Sequence, residues 1–520
     1  MIIITPFLFL LFLLPSLSLS QPQPPLRGLF IDCGSTVGST YAGLEYVPDT
    51  YYISTGSSKN ITEQVVFPSL TTIRTFPLQN NRFKKFCYEI PVDRTRKYLI
   101  RTIYYYGGVN GNLNNPPVFD QIVDGTLWSV VNTTDDYANG DLSYYEGVFM
   151  PIGKNLSVCL AANTYTDSDP FISSLEIVLL WDQLYNSTNF KSNAFSLVAR
   201  HSFGYSGPVI GYPDDQFNRY WEPFGENTSP PSNSTNPAVS GIWNLPPSRV
   251  FQTHLGTGVA EPMTLLWPPG PLPNAEYYIA FYFAEDQTTS ALNSSRAIDI
   301  AINGVTYYNN LIVSPAGIAV FVNQWPLSGI TNITLNPSPG SNIGPLINAG
   351  EVFQLLPAGE KTHTADVIAM LDLRGSFRNP PADWNGDPCL PRGYTWTGVT
   401  CSYGSRIRVL SLNLTSMGLY GSLSPRIHRM TALTSILLGN NSLSGTIPDL
   451  SSLKGLEILH LEDNWLEGII PPSLGNLSNL NEVFLQNNNL TGYVPSNLLG
   501  KPGLTLRYNP GNPLLSPPQS

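Results

Sequence analysis

Between Val409 and Pro495 the sequence repeats itself. The set Leu433, Ile436, Leu438, Asn441, Leu443, Gly445, Ile447, Pro448 returns as Leu456, Leu459, Leu461, Asn464, Leu466, Gly468, Ile470, Pro471, and again as Leu480, Val483, Leu485, Asn488, Leu490, Gly492, Val494, Pro495. A looser copy precedes them (Val409, Leu412, Leu414, Met417, Leu419, Gly421, Leu423), with Met417 replacing the Asn and Ser424 the Pro. Leu504, Leu506 and Asn509 begin a partial fifth unit. The starts at 409, 433, 456 and 480 lie 24, 23 and 24 residues apart. A helix or a generic core would not keep Asn, Gly and Pro in step with leucines. A coil with one short strand per turn does, because the leucines share a core and each Asn amide bonds the backbone where the chain turns.

This is the pattern of a leucine-rich-repeat solenoid over 406–515. The open end of a solenoid exposes apolar side chains and requires a cap. Residues 358–405, read as a hinge and cap, contain DWNGDPC (383–389) and WTGVTC (396–401). Pro380, Pro381, Gly386 and Pro388 interrupt regular structure, Trp384 and Trp396 can cover the first coil, and a Cys389–Cys401 bridge would pin the cap shut. Two cysteines without nearby His ligands do not make a metal site, and no metal or cofactor is expected. Cys33, Cys87 and Cys159 allow three pairings, among which the sequence does not choose.

Residues 28–357 have another texture: aromatic and β-branched runs such as KYLIRTIYYYG, FISSLEIVLL and EYYIAFYFAE, separated by Gly, Pro and Asn clusters. Many short strands and few helix signals predict a mostly β fold built from sandwiches. A weak echo between 97–128 and 276–308 divides the stretch into a first lobe, 28–186, and a second, 193–357.

The first twenty residues, MIIITPFLFLLFLLPSLSLS, read as a secretory signal, and nothing later is long and apolar enough to cross a bilayer. Twelve N-x-S/T sequons agree with that compartment: Asn60, Asn132, Asn155, Asn186, Asn227, Asn233, Asn293, Asn332, Asn413, Asn440, Asn476 and Asn489. Secretion to the apoplast or cell wall is the expected location. Only 12% of residues are charged and the net charge is −10, which excludes the basic surface of a nucleic-acid binder and favours neutral or basic partners.

FIDCG, GLEYVPD, IRTFP, FCYEIP, VCLAAN, YPDDQFNRYWEP and WNGDPC occur in the order found in plant malectin-like leucine-rich-repeat receptor ectodomains, and nearly the whole chain after residue 20 resembles them. The likeness is strongest to the symbiosis-receptor-kinase type, in which a tandem malectin-like region meets a few repeats through a GDPC motif. The resemblance implies two jelly-roll lobes related to animal malectin, which binds maltose-type disaccharides. Such receptors continue into a transmembrane helix and a kinase, whereas this chain ends after its repeats, so signalling is expected to require a membrane-spanning partner such as a receptor-like kinase. The resemblance also makes cleavage at the GDPC junction an expectation.

Sugar binding by a β-sandwich needs aromatic faces flanked by polar groups. Tyr46, in the segment similar to malectin's sugar-contacting one, together with Tyr104, Tyr106 and Asn110, are the candidate ligand residues. In the second lobe Gln287 and Thr288 stand where malectin has an aromatic pair. The solenoid's inner face offers Glu457, His460, Glu462, Glu482 and Phe484, an acidic patch with one aromatic that suits a small basic peptide or a cell-surface protein. Asp214/Asp215 and Glu222/Glu226 are acidic pairs a glycosidase reading could use, but nothing marks them as such, and no G-x-S-x-G, HExxH or phosphate loop occurs. The sequence therefore predicts a binding protein, a receptor-like protein or co-receptor scaffold reading a cell-wall carbohydrate or small secreted peptide. An inhibitor of wall-degrading enzymes is the alternative, ahead of a glycoside hydrolase.

Overall fold

The computed structural model describes residues 28–61, 67–78, 84–109, 116–225, 232–234, 237–286 and 296–516. The segment 1–20, Asn110, Asn227, Asn293, Gln287 and Thr288 lie outside them, and Asn233 is described only by its backbone strand.

An eleven-stranded sheet runs through both lobes. Its path crosses Ser39–Tyr41, Leu44–Pro48, Gly28–Asp32, Ser174–Leu180, Lys97–Tyr104, Ser143–Phe149, Asn193–Phe203, Ala349–Pro357, Leu272–Phe283 and Ile318–Gly329. The lobes are thus joined by backbone pairing: Gly147 opposes Ser196 and Val148 opposes Phe195. Gly147 makes that approach possible, because a Cβ there would lie 2.6 Å from the Phe195 carbonyl oxygen.

Both faces of this sheet are buried. On one face, the first lobe adds a four-stranded sheet (Lys85–Pro91, Asn155–Ala161, Val118–Val123, Thr126–Asn132) around Ile31, Ile100, Tyr104, Phe119 and Phe171. The second lobe adds Met263–Leu266, Asn332–Pro337, Ala297–Ile302 and Val305–Ile312 around Phe203, Trp267, Ile279 and Phe281. The opposite face is covered by chain between Leu184 and Phe251, and one core holds Leu99 and Val178 of the first lobe with Phe195, Tyr278, Tyr282 and Phe353 of the second. Burial on two sides is why KYLIRTIYYY and EYYIAFYF read as continuous apolar runs; along Leu272–Phe283, Tyr278, Ala280 and Tyr282 enter one core while Tyr277, Ile279 and Phe281 enter the other.

The solenoid carries two sheets. Its inner sheet runs Val399–Cys401, Val409–Asn413, Ser435–Leu437, Ile458–His460, Glu482–Phe484 and Thr505–Arg507, parallel after the first antiparallel pair. A second parallel sheet joins Tyr420–Ser422, Ser442–Thr446, Trp465–Ile469, Asn489–Tyr493 and Leu514–Ser516. The repeated asparagines lie between coils: Asn464 Nδ2 donates to the carbonyls of Leu438, Leu461 and Glu462, while its Oδ1 accepts from Leu443 N. Asn441, Asn488 and Asn512 bond the backbone in the same way.

The cap consists of the helix Thr364–Ser376 and the turn-rich segment after it. Trp384 and Trp396 stack at 5.2 Å, each indole N–H donating to a backbone carbonyl of the cap, and Cys389 is bonded to Cys401. Asp366 receives the fork of Arg408, tying the helix to the first coil.

The expected hinge is fastened to the first lobe. Cys87 and Cys159 face each other on paired strands and form a disulfide, leaving Cys33 free and buried. Gly386, at φ +64°, lies on that disulfide, where a Cβ would stand 3.1 Å from the Cys87 sulfur and 3.3 Å from that of Cys159. Its N–H donates to Glu89, the buried Lys85 ammonium donates to the carbonyls of Asp387 and Leu390, and the Tyr394 hydroxyl donates to Asp120. Burial moves the titrating groups of this joint: the Glu89 carboxyl rises, Asp124 rises to about 7 and Lys85 falls to about 8. These buried contacts tie the segment to the first lobe.

Candidate functional site

A row of alternating charge crosses five adjacent strands of the large sheet. Glu176 opposes Arg101, Arg101 opposes Glu146, and Arg200 opposes Glu351. Ion pairs of 2.6 Å (Arg101–Glu176), 2.5 Å (Arg101–Glu146), 2.6 Å (Arg200–Glu146) and 2.6 Å (Arg200–Glu351) join them, with every side chain fully buried. Burial alone would raise Glu146, but Arg200 and Arg101 on its two sides hold it below the usual carboxylate value. Glu146 belongs to the first lobe and Arg200 to the second, so this row fastens the lobes where few backbone pairs do.

The YPDDQFNRYWEP segment closes over the row. Its Asp215 pairs with Arg219 at 2.9 Å and accepts from the Trp221 indole at 2.8 Å, Asn218 contributes its amide to Glu176 and its carbonyl to Arg101, and the Tyr220 ring lies 3.3 Å from the Arg101 guanidinium carbon. Glu226 lies outside the described residues, and the other carboxylates open to a hydrolase reading are committed elsewhere: Asp214 pairs with Arg249 on the surface, Asp215 is buried against Arg219, and Glu222 accepts from Tyr144 and faces His201 at 3.5 Å. Hydrogen bonds from His201 and Tyr144 hold Glu222 below its ordinary pKa.

Directly beside this segment is a cleft of about 340 Å³. Its lining comes from three parts of the chain: Tyr41, Ala42, Leu44, Tyr46, Phe67, Ser69 and Leu70; Ile103, Leu142 and Tyr144; and Val209, Gly211, Tyr212, Asn218 and Tyr220. Tyr41 and Phe67 meet edge to face at 4.9 Å at its rim. Three polar groups near it are engaged with the protein: the Tyr46 hydroxyl donates to Glu176 at 2.7 Å, Tyr144 donates to Glu222, and the Asn218 amide donates to Glu176 and accepts from the Tyr212 N–H while its backbone carbonyl accepts from Arg101. The cleft therefore offers ring faces and aliphatic side chains held on a rigid polar base.

Of the ligand residues drawn from the sequence that are described, only Tyr46 lines this cleft. Tyr104, 1% exposed, is surrounded by Phe119, Tyr145 and Phe171, and its hydroxyl donates to Gln121. Tyr106, 2% exposed, packs on Tyr137 and Phe171. Both point between the two sheets of the first lobe, so neither is a sugar platform. Tyr41, Phe67, Tyr212 and Tyr220 were not singled out, because they come from loops and short strands whose convergence needs the fold; Tyr212 and Tyr220 do lie in a segment that the family likeness marks.

On the solenoid's inner sheet, successive strands place Asn413, Leu437, His460, Phe484 and Arg507 in one row. His460 stacks flat on Phe484 at 4.2 Å, Arg507 covers the other side of that ring at 4.6 Å, and Glu482 approaches His460 at 3.2 Å. Glu457 is exposed and Glu462 half-buried beside this row. Asn413 begins the row and is exposed, as are Asn60, Asn132, Asn155, Asn186, Asn440, Asn476 and Asn489, whereas Asn332 is half-buried. Among the described residues no cluster of His, Cys, Asp and Glu could hold a metal ion, and no helix is long and apolar enough to cross a membrane.

Comparison with known proteins identifies the family and the fold of the chain. A profile described as malectin-like domain fits residues 31–355, one for a leucine rich repeat N-terminal domain fits 363–402, and one for a leucine rich repeat fits 455–477. A leucine-rich repeat receptor-like serine/threonine-protein kinase of Arabidopsis thaliana is 31% identical over 440 residues, 80% of this chain and 48% of the relative. A receptor-like protein kinase of the same plant is 31% identical over 437 residues, 80% of this chain and 47% of the relative. The chain thus spans about half the length of the curated relatives it matches. The crystal structure of the ANX2 ectodomain from Arabidopsis thaliana superposes with a TM-score of 0.52 at 16% identity, covering 63% of this chain and 97% of that one, a likeness of fold.

Proposed function

Because the chain belongs to the malectin-like domain family and sets that domain before a leucine-rich-repeat cap and repeats, we propose that it is an extracellular recognition protein of receptor-ectodomain type whose aromatic cleft takes the ligand. The observation that carries this reading is the cleft itself, walled by Tyr41, Tyr46, Phe67, Tyr212 and Tyr220 and resting on a buried ion row. Its chemistry favours a small secreted peptide over a sugar. A pyranose needs amides or carboxylates for its hydroxyls, and here Asn218, Tyr46 and Tyr144 spend their polar atoms inward while Leu44, Leu70, Ile103, Leu142 and Val209 supply aliphatic surface. An aromatic or branched aliphatic side chain of a peptide fills such a space without leaving polar groups unpaired.

The inner face of the solenoid is the partner surface in this reading. The His460–Phe484–Arg507 stack is a preformed planar anchor, and Glu457, Glu462 and Glu482 around it favour a basic segment on a cell-surface protein such as a receptor-like kinase. Chain 21–520 secreted from plant cells tests the cleft. Calorimetric titration with secreted peptides bearing an aromatic residue should give binding that Tyr220→Ala and Leu142→Lys abolish. Tight binding of neutral oligosaccharides, with no response to any peptide, would overturn the choice of ligand.

A further inference from the structure

We propose that Asn489 carries an N-linked glycan whose first N-acetylglucosamine residues lie on the apolar strip of Trp465, Ile469, Tyr493 and Leu514 on the solenoid's second sheet. These side chains are 72%, 58%, 50% and 58% exposed, and all four point from that one sheet. A soluble surface seldom leaves so large an aromatic and aliphatic strip bare without an occupant.

The register supplies the occupant. Asn489 opposes Glu467, the residue midway between Trp465 and Ile469, and Thr491, which completes its sequon, stands between Ile469 and Leu514 on the neighbouring strands. With strands about 4.8 Å apart and about 3.3 Å per residue, Asn489 is about 8 Å diagonally from both Trp465 and Ile469. One sugar linked to the exposed Asn489 side chain spans that distance. The C–H face and acetyl methyl of N-acetylglucosamine present to an indole or phenol ring the same apolar surface that a buried side chain would.

The modification is ordinary group transfer. The amide nitrogen of Asn489 bonds to C1 of the first sugar as the bond from C1 to a lipid pyrophosphate donor breaks; the nitrogen gives up one proton, and the pyrophosphate leaves with the electron pair. The inference requires passage through the glycosylating compartment and is independent of the cleft's ligand.

The test uses the full chain secreted from plant cells, in three forms: intact, trimmed by an endoglycosidase to one N-acetylglucosamine, and stripped by an amidase that leaves Asp at position 489. Glycopeptide mass should show Asn489 occupied. Hydroxyl-radical footprinting should find Trp465 protected in the first two forms and several-fold more reactive in the third, Tyr493, four residues further along the strand, protected in the intact form, and Tyr403, 86% exposed on the cap, unchanged. A Thr491→Ala chain, which keeps Asn489 but loses the sequon, should match the stripped form; should that chain fail to fold, the enzyme-treated forms still decide. An unmodified Asn489 beside a glycosylated Asn440 overturns the proposal, as does equal reactivity in all three forms. Protection that persists after stripping, with a doubled mass by light scattering, also overturns it and assigns the strip to a second copy of the chain.

Discussion

The malectin-like region and the solenoid both run a row of buried polar side chains across their strands, and the two rows have opposite chemistry. The first is charged and occurs once: Glu176, Arg101, Glu146, Arg200 and Glu351, completed by Asp215 and Arg219. The second is neutral and periodic: Asn441, Asn464, Asn488 and Asn512, each satisfying backbone groups of its own and adjoining coils. A charged row fixes one arrangement of particular strands, since any slip leaves an ion unpaired in a low-dielectric interior. A neutral row can be copied indefinitely, because each amide needs only carbonyls and an N–H that every coil provides. Uniqueness is what a ligand cleft needs, and repetition is what an extendable surface needs.

The sharpest way to break the comparison is Glu146→Ala. It leaves two guanidiniums facing a hole between the lobes and should cost about 3–5 kcal/mol, visible as a lowered malectin-like transition in scanning calorimetry. Asn464→Ala should cost less, about 2–3 kcal/mol, since it orphans neutral groups only, and chemical denaturation followed at the solenoid would measure it. If the two losses were equal, the distinction between charged and neutral rows would fail.

A third expectation concerns the joint between the regions. Asp124 titrates at about 7 in the folded chain against an ordinary value of 3.8, because burial penalises its charge. The folded state therefore binds the proton more tightly, and this group's contribution is complete below about pH 4 and lost as pH rises through 7. Stability should fall by on the order of 2 kcal/mol between pH 5 and 7 through this group, and Asp124→Asn should flatten that slope in denaturation midpoints. The smallest effect belongs to Arg507→Ala, which uncovers Phe484 and should cost about 0.5–1 kcal/mol while weakening partner capture more than it weakens the fold.

How much of this was legible depended on distance along the chain. The solenoid was written in a local period, so its coils and asparagines could be read by stacking short segments. The charged row is spread over strands far apart in sequence, yet each member leaves a trace: Arg101 in KYLIRTIYYY, Glu176 in SSLEIVLL, Glu351 in AGEVFQLL, one charge inside an apolar run. In a chain with only 12% charged residues, such isolated charges on strands buried on both faces must find one another. Tyr104 and Tyr106 misled because alternation places them on one shared face without saying which, and that face is the core. The fastening of the cap could not be read at all, since Lys85 and Asp387 are 302 residues apart and nothing in either segment names the other.

The seam at Gly147 and Val148, taken with Gly386 seated on the Cys87–Cys159 disulfide, has a mechanical meaning. Among the described residues two strand rungs, Gly147–Ser196 and Val148–Phe195, pair the lobes, the Glu146–Arg200 pair reinforces them, and the cap is bolted to the first lobe by a buried lysine. The cleft, the seam and the coils are thus linked through one chain of buried contacts. In the proposed function these joints would act like a caliper locked at one opening, holding a ligand in the cleft and a partner on the coils at a set separation.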